Sequence, residues 1–314
     1  MLQMETLVQH DRMAFAHEDF IGLHSLFAAK SLDAARLVTA DASIHERLLR
    51  EALHWVEGMD LTASPPAMAQ CLHRRLREMT GVVEPYCETK TWQSCVVMDM
   101  RPVLQAEVKA SGAPLLMATR LAIAGNAIDM GSNGQLTEQD VRQALDRALM
   151  DPFHGDMEQF RAAVVKAETI LYLADIVGEI ALDRLLIAQL LPRTIILVVR
   201  GSPIRNDATQ EDAKRVGLDR IVQVIGNGSD APATILPDCS QDLRDRFAAA
   251  DLIGAKGQGN YESLSDEPGQ LFFLFKAKCR VIAELVGQPI GTQMLLKSRG
   301  APAPGHALGA RTAS

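Results

Sequence analysis

Asp175, Asp207 and Lys256 each stand at or just beyond the end of a short apolar run, with glycines or carboxamides beside them. Successive runs end in Asp175-Ile176-Val177-Gly178-Glu179, Gly201-Ser202-Pro203-Ile204-Arg205-Asn206-Asp207-Ala208-Thr209, Gly226-Asn227-Gly228 and Lys256-Gly257-Gln258-Gly259-Asn260-Tyr261-Glu262. Hard cations such as Mg²⁺ take carboxylate oxygens and keep several waters, so Asp175 and Asp207 could hold one between them while substrate oxygens complete its shell. An ammonium at Lys256 would then face the charge that develops during phosphoryl transfer. The glycines allow backbone N–H groups to approach phosphate oxygens with no Cβ in the way. Such a set suits a phosphate ester bound through a divalent cation. Each segment also has a plainer reading, with 207–212 as a capped helix start and Lys256-Gly257 as a turn; their joint occurrence favours the chemistry.

For these groups to meet, the runs must be neighbouring strands of one sheet. After about Glu168 short β-branched or leucine-rich runs alternate with charged helical segments. Strands are expected over Ile170 to Ala174, Thr194 to Val199, Ile221 to Ile225, Leu252 to Ala255 and Leu271 to Phe275, with helices around 179–190, 209–216 and 240–249. Strict alternation implies parallel pairing through right-handed crossovers, and runs apolar on both faces imply helices on both sides of the sheet. Ligands of such sheets bind beyond the carboxyl ends of the strands, where the polar residues gather.

From about Ala16 to Leu149 the apolar positions recur at helical spacing, as in SIHERLLREALHWVEGM and MAQCLHRRLREMTG, and Ser64-Pro65-Pro66 reads as a helix-opening turn. The expected fold is α/β: a three-layer α/β/α domain with a mainly parallel sheet, preceded by a helical N-terminal domain. The expected division is 1–150 for the helical part, which contributes one wall of the cleft, 151–297 for the α/β part carrying the metal and phosphate site, and 298–314 for a tail without apolar periodicity, expected to be disordered. Gly125, Asn126 and Asp129 follow the apolar segment LLMATRLAIA, either as a helix C-cap or as a phosphate-facing wall.

The 314 residues are 47% hydrophobic and 23% charged with a net charge of −7, a globular composition without the basic surplus that a phosphate backbone or an anionic membrane surface requires. Neither nucleic acid nor membrane is expected as a partner. Aromatic residues are 4% of the chain, too few for a stacking platform. Five cysteines without C-x-x-C spacing suggest neither a disulfide framework nor a zinc site and fit a reducing cytoplasm. The scattered histidines show no H-E-x-x-H spacing, G-x-S-x-G is absent, and neither glycine pair extends to G-x-G-x-x-G. Trp55 and Trp92 read as packing residues.

GNAID at 125–129, D-x-x-GE at 175–179, R-G-x-P-I-x-N-D-A-T-x-E-D at 200–212, KGQGNYE at 256–262, FLFKAKC at 273–279 and TGVVEPYCETK at 80–90 occur in order. Together they resemble the damage-control phosphatases, a metal-dependent family that removes phosphate from small, often damaged or overflow metabolites. The resemblance spans about residues 20–290. It implies Asp175 and Asp207 as ligands of Mn²⁺, Mg²⁺, Co²⁺ or Ni²⁺ and Lys256 as support for the phosphoryl group. It places Gly125, Asn126, Asp129, Glu179, Asn206, Gly257 and Asn260 around a small phosphorylated metabolite such as a sugar phosphate. The family's asparagine ligand position is Ile176 here, which has no lone pair to offer, and the cysteine pair that begins many relatives is absent from LHSLFAAKSLDAARL. The resemblance leaves two alternatives: a non-catalytic phosphometabolite-binding protein with a degraded metal site, and a carboxyl methyltransferase using S-adenosylmethionine.

Overall fold

The computed structural model describes residues 27, 31–58, 64–125 and 138–300. The helices α1 (Ala42–Glu57), α2 (Pro65–Thr80), α3 (Cys87–Ala110), α4 (Pro114–Ala124) and α5 (Glu138–Met150) come first. There follow β1 (Phe153–Gly155), α6 (Met157–Lys166), β2 (Thr169–Leu173), α7 (Val177–Leu190), β3 (Thr194–Val199), α8 (Gln210–Arg215) and β4 (Gln223–Gly226). The chain then runs through α9 (Gln241–Ala249), β5 (Leu252–Lys256), α10 (Gln258–Leu264), β6 (Leu271–Lys276), α11 (Arg280–Val286) and β7 (Gln293–Lys297). The α2 start is set as its sequence suggests: Ser64 caps the Ala67 N–H and Pro65 occupies the first turn, where a missing N–H costs nothing. No helix among the described residues is long and apolar enough to cross a membrane.

The strands form one seven-stranded sheet in the order β1-β7-β6-β5-β2-β3-β4. Pairings from β6 through β4 are parallel, whereas β7 runs antiparallel to β6 and β1 lies parallel to β7. The strict parallel alternation expected of the sequence therefore stops at β6. Neither β1 nor β7 announces itself as a strand: β1 has three half-exposed or exposed residues, and β7 has Gln293 at one end and Lys297 at the other. The β4 strand begins two residues later than expected, because Ile221 and Val222 hydrogen-bond back to Leu218 in a turn.

Burial on both faces explains why the central strands read as unbroken apolar runs. On β2, Ile170 and Tyr172 enter one core while Leu171 and Leu173 enter the other. On β3, Ile195, Leu197 and Val199 divide from Ile196 and Val198 in the same way. The first core is completed by α3, α4, α5, α6 and α7, so helices from the N-terminal half bury their apolar faces directly against the sheet. The second is completed by α9, α10 and α11. A separate cluster joins α1 and α2 through Leu48, Ala52, Met68, Leu72 and Leu76, with Trp55 packed against it as expected. Beyond β7, Ser298 donates its N–H to Leu271 O and Arg299 to Ser265 O, which ties residues 298 and 299 to the domain.

The chain leaves β2 for β3 and β4 on one side and returns to β5 and β6 on the other. The crevice beyond the carboxyl ends of β2 and β5 is thus the switch point of the sheet, where open α/β folds place their ligands.

Candidate active site at the carboxyl ends of β2, β3 and β5

Backbone hydrogen bonds stitch the segment after β2 to the loop after β3. Ala208 N–H donates to Asp175 O at 2.8 Å, Val177 N–H donates to Asn206 O at 2.9 Å, and Ile176 and Asp207 form an isolated antiparallel bridge. Asp175 and Asp207 are 32 positions apart in sequence, and this stitching brings them to one place. Asp207 Oδ2 accepts from Arg200 Nε at 2.7 Å, and Arg200 Nη2 lies 3.6 Å from Asp175 Oδ1. Burial, then the neighbouring Asp207 charge, push Asp175 up to about 6, against the pull of Arg200, Lys278 and Lys256.

The capped-helix reading of 207–212 holds for part of that stretch only. Thr209 and Asp212 form a reciprocal capping box at the start of α8, with Asp212 also paired to buried Lys90. Asp207 lies outside the box and is turned to Arg200 instead.

Gly257 has φ +84°, a left-handed conformation, and a Cβ there would sit 1.9 Å from Asp175 Oδ2. The β5–α10 corner therefore packs its bare backbone directly on the Asp175 carboxylate. Gly257→Ala should add about 1 to 2 kcal/mol of backbone strain and displace Asp175, lowering both the thermal midpoint and any turnover that depends on Asp175. Retained stability and turnover in the alanine variant would show that Asp175 is not held from this side.

Lys256 closes β5 and is fully buried. Its Nζ donates to Ala122 O at 2.7 Å and Glu179 Oε2 at 2.5 Å, and lies 2.9 Å from Asp183 Oδ1. Asp183 also accepts from Tyr172 Oη. Its three N–H directions are thus occupied within a buried cluster, so no donor remains to face a phosphoryl group. Burial opposes the ammonium, but Asp183 and Glu179 more than reverse this and hold it charged. Burial pushes Glu179 up to about 8 despite Lys256, and Glu179 Oε1 and Asp183 Oδ2 have no hydrogen-bond partner. One ammonium against two buried carboxylates leaves a proton in the cluster at neutral pH.

The remaining expected residues divide by role. Gly125 lies against Glu179, since a Cβ on it would come within 2.7 Å of Glu179 Cα. Asn260 is consumed by architecture: its side chain donates to Lys256 O and Ala174 O and accepts from Thr234 N–H, joining β5, β2 and the loop after β4. Asn206 is buried at the bridge to Val177, and its backbone oxygen carries that contact. Asn126 and Asp129 lie outside the described residues. Tyr261 of the same motif is a core residue, stacked on Phe275 with ring centroids 4.8 Å apart.

Three polar groups join the site that sequence reasoning did not select. Arg200 opens a quoted motif, and its single basic side chain directly after an apolar run is the signal that marks it. Asp183 follows Glu179 by one helical turn on a helix whose only other polar residues are Arg184 and Gln189, and both carboxylates are buried. Glu262, which accepts from Gln258 Nε2 at 2.7 Å, is pushed by burial up to about 7. A cavity of about 240 Å³ opens beside Arg200 toward Glu84, Ser202, Thr209 and Asp212. Asp175 and Asp207 do not line it.

The donor set at the crevice is two convergent carboxylates, mutually repelling and partly shielded from water, with buried apolar Ile176 between them in sequence. It fits a hard divalent cation that retains most of its water. No group of three or more His, Cys, Asp or Glu placed to hold a metal occurs among the described residues, so a cation here would rest on two protein carboxylates and on water.

The whole arrangement matches a known architecture. The crystal structure of a DUF89 family protein from Pyrococcus horikoshii superposes with a TM-score of 0.81 at 28% identity, covering 91% of this chain and all of that one. A damage-control phosphatase of Archaeoglobus fulgidus is 33% identical over 264 residues, 82% of this chain and 91% of that protein. An uncharacterized protein of Methanocaldococcus jannaschii is 34% identical over 278 residues, 85% of this chain and 91% of that protein. The damage-control phosphatase ARMT1-like domain matches residues 24–294, and the chain belongs to that family.

Proposed function

We propose that this chain is a metal-dependent phosphatase acting on small phosphate monoesters, such as sugar phosphates or damaged phosphometabolites, with Mn²⁺, Mg²⁺, Co²⁺ or Ni²⁺ as cofactor. The observation that carries this reading is the meeting of Asp175 and Asp207 beside Arg200 at the switch point of the sheet. The name borne by relatives of similar length supports it. Asp175 and Asp207 would hold the cation, which when bound polarises phosphoryl oxygens and positions a nucleophile. Gly257 keeps the Asp175 carboxylate in place, and Arg200 orients Asp207 through its Nε donor. Lys256, at the end of β5, is spent in its buried cluster, where it ties Glu179 and Asp183 to Ala122, with no free N–H offered to the substrate.

Phosphate release from p-nitrophenyl phosphate and a panel of sugar phosphates, after chelation and reconstitution with each cation, tests the proposal. Turnover should be absent with chelator and restored by one or more of the four cations. Calorimetric binding of a phosphate ester with no turnover under any of them would favour the binding-protein reading, which Ile176 makes specific. Binding of S-adenosylmethionine would favour the methyltransferase.

Ile176 is buried yet belongs to none of the four apolar clusters among the described residues, and its backbone sits in the bridge to Asp207. Its side chain is nonetheless covered by other groups, so replacing it forfeits buried apolar area. Ile176→Asn should add an oxygen donor beside Asp175 and tighten the cation about tenfold, at a cost of about 1 to 3 kcal/mol for an unpaired amide in addition to the isoleucine's lost burial. Metal titration of both proteins, with urea unfolding as control, reads the result. Equal affinity in equally stable proteins would remove position 176 from the ligand set.

A further inference from the structure

Arg200 is the largest fully buried side chain among the described residues, 1% exposed, and it lies between the two carboxylates just proposed to hold the cation. Its backbone is fixed at the end of β3 by the N–H bond to Ala208 O and by a bridge to Thr209. Its side chain is held unevenly. Nε makes a 2.7 Å hydrogen bond to Asp207 Oδ2, and Nη1 reaches Thr234 Oγ1 at 3.4 Å. Nη2 is buried without a hydrogen-bond partner, 3.6 Å from Asp175 Oδ1. A guanidinium does not give up its proton in a protein, so this charge is permanent.

Two buried carboxylates that face each other need a cation to remain ionised in a folded protein. In this chain the fold supplies one. A divalent cation would draw on the same oxygens, and Oδ2 of Asp207 is already occupied. The isoleucine at 176 adds no donor with which to outcompete the arginine.

We propose that Arg200 is a positioning residue that serves as the resident counter-cation of the Asp175–Asp207 pair, so that the site stays assembled without metal and the divalent cation binds only in competition with the guanidinium. This rests on the reading of the same pair as the metal ligands. It makes the cation affinity of the site depend on β3 as well as on residue 176. The guanidinium gives up its hold on one carboxylate oxygen when the cation arrives.

The test uses the full chain and Mn²⁺ alone, with the free aquo ion followed by electron paramagnetic resonance and the thermal midpoint measured in chelator and in excess Mn²⁺. Arg200→Gln removes the charge, and Arg200→Lys keeps a charge but loses the planar fork that spans both carboxylates. Removing one opposite charge at this range should tighten Mn²⁺ by about tenfold or more in the glutamine variant, with a smaller gain in the lysine variant. In chelator the glutamine variant should melt below wild type, and its gain on adding Mn²⁺ should exceed the wild-type gain. A purely structural role for Arg200 would lower both midpoints alike and would not tighten the metal. Equal or weaker Mn²⁺ binding in either variant overturns the proposal, as does absence of binding in all three proteins. Should the glutamine variant fail to fold with and without Mn²⁺, the lysine variant decides by the same criterion. Phosphate release is measured separately: the expected affinity order without turnover would sustain the role of Arg200 and overturn the phosphatase reading.

Discussion

Lys256→Met should be the most destabilising single substitution at this site, lowering unfolding free energy by about 3 to 5 kcal/mol, the usual cost of stranding buried charges. The methionine fills most of the lysine's volume, so a cavity is a minor part of the loss. Its main effect is to leave Glu179 and Asp183 without their ammonium in a region that water does not reach. The loss should depend on pH, and its sign follows from Glu179. Burial raises that group from its ordinary 4.5 up to about 8 in the folded chain. The folded form therefore holds the proton more tightly than the unfolded form, and the contribution to stability is fully present below about 4.5 and lost as pH rises through about 8. Without Lys256 nothing offsets the charge that forms over this window, so the variant should fall further behind wild type at pH 8 than at pH 5. Urea unfolding followed by circular dichroism at both values measures this. A triple change, adding Glu179→Gln and Asp183→Asn, should recover part of the stability because no ionisable carboxylate remains to be stranded. A loss of under about 1 kcal/mol, or one identical at both pH values, would contradict a buried charged cluster.

Asp207→Asn should have the largest effect on chemistry, reducing phosphate release by about a thousandfold at fixed metal concentration. The amide is nearly isosteric, so backbone contacts through Ile176 and Asn206 should persist. What changes is charge: one of the two carboxylates proposed to hold the cation becomes a weak neutral donor, and Arg200 loses its carboxylate partner at Nε. The accompanying stability loss should be about 1.5 to 3 kcal/mol, as for a hydrogen bond between charged groups. Raising the concentration of Mn²⁺ should restore part of the rate, since weakened cation binding accounts for part of the defect. Turnover within about threefold of wild type in a folded Asp207→Asn protein would move the site elsewhere.

Much of this architecture is legible in the chain because burial leaves a mark on residue type. The strands β2 and β3 and the helix α7 are covered on all sides, which forces long apolar runs, and those runs give the alternation from which a parallel sheet follows. The polar residues at the strand ends are legible for the complementary reason: a carboxylate or an amide directly after a buried strand is foreign to an apolar core and marks the sheet edge, even where, as with Asn260, it braces the corner. β1, at the edge of the sheet, and β7, beside it, carry no such mark: β1 has three residues, none of them buried, and β7 sets Gln293 and Lys297 at its ends. The antiparallel return of β7 on β6 was for that reason invisible.

Charge pairing belongs to the tertiary structure alone. Nothing in the order of residues states that Lys256 meets Glu179 across 77 positions, or that Arg200 lies between Asp175 and Asp207. Residue type determined that carboxylates, an ammonium and a guanidinium would gather near one edge of a sheet. Which cation neutralises which anion depends on distances of a few ångström and on how completely water is excluded, and both arise only when α4, α7 and the strand ends have packed together. The sequence thus determined the edge and its chemistry; the packed fold decided that Lys256 is spent inside a buried cluster and that Arg200, not lysine, attends the carboxylate pair.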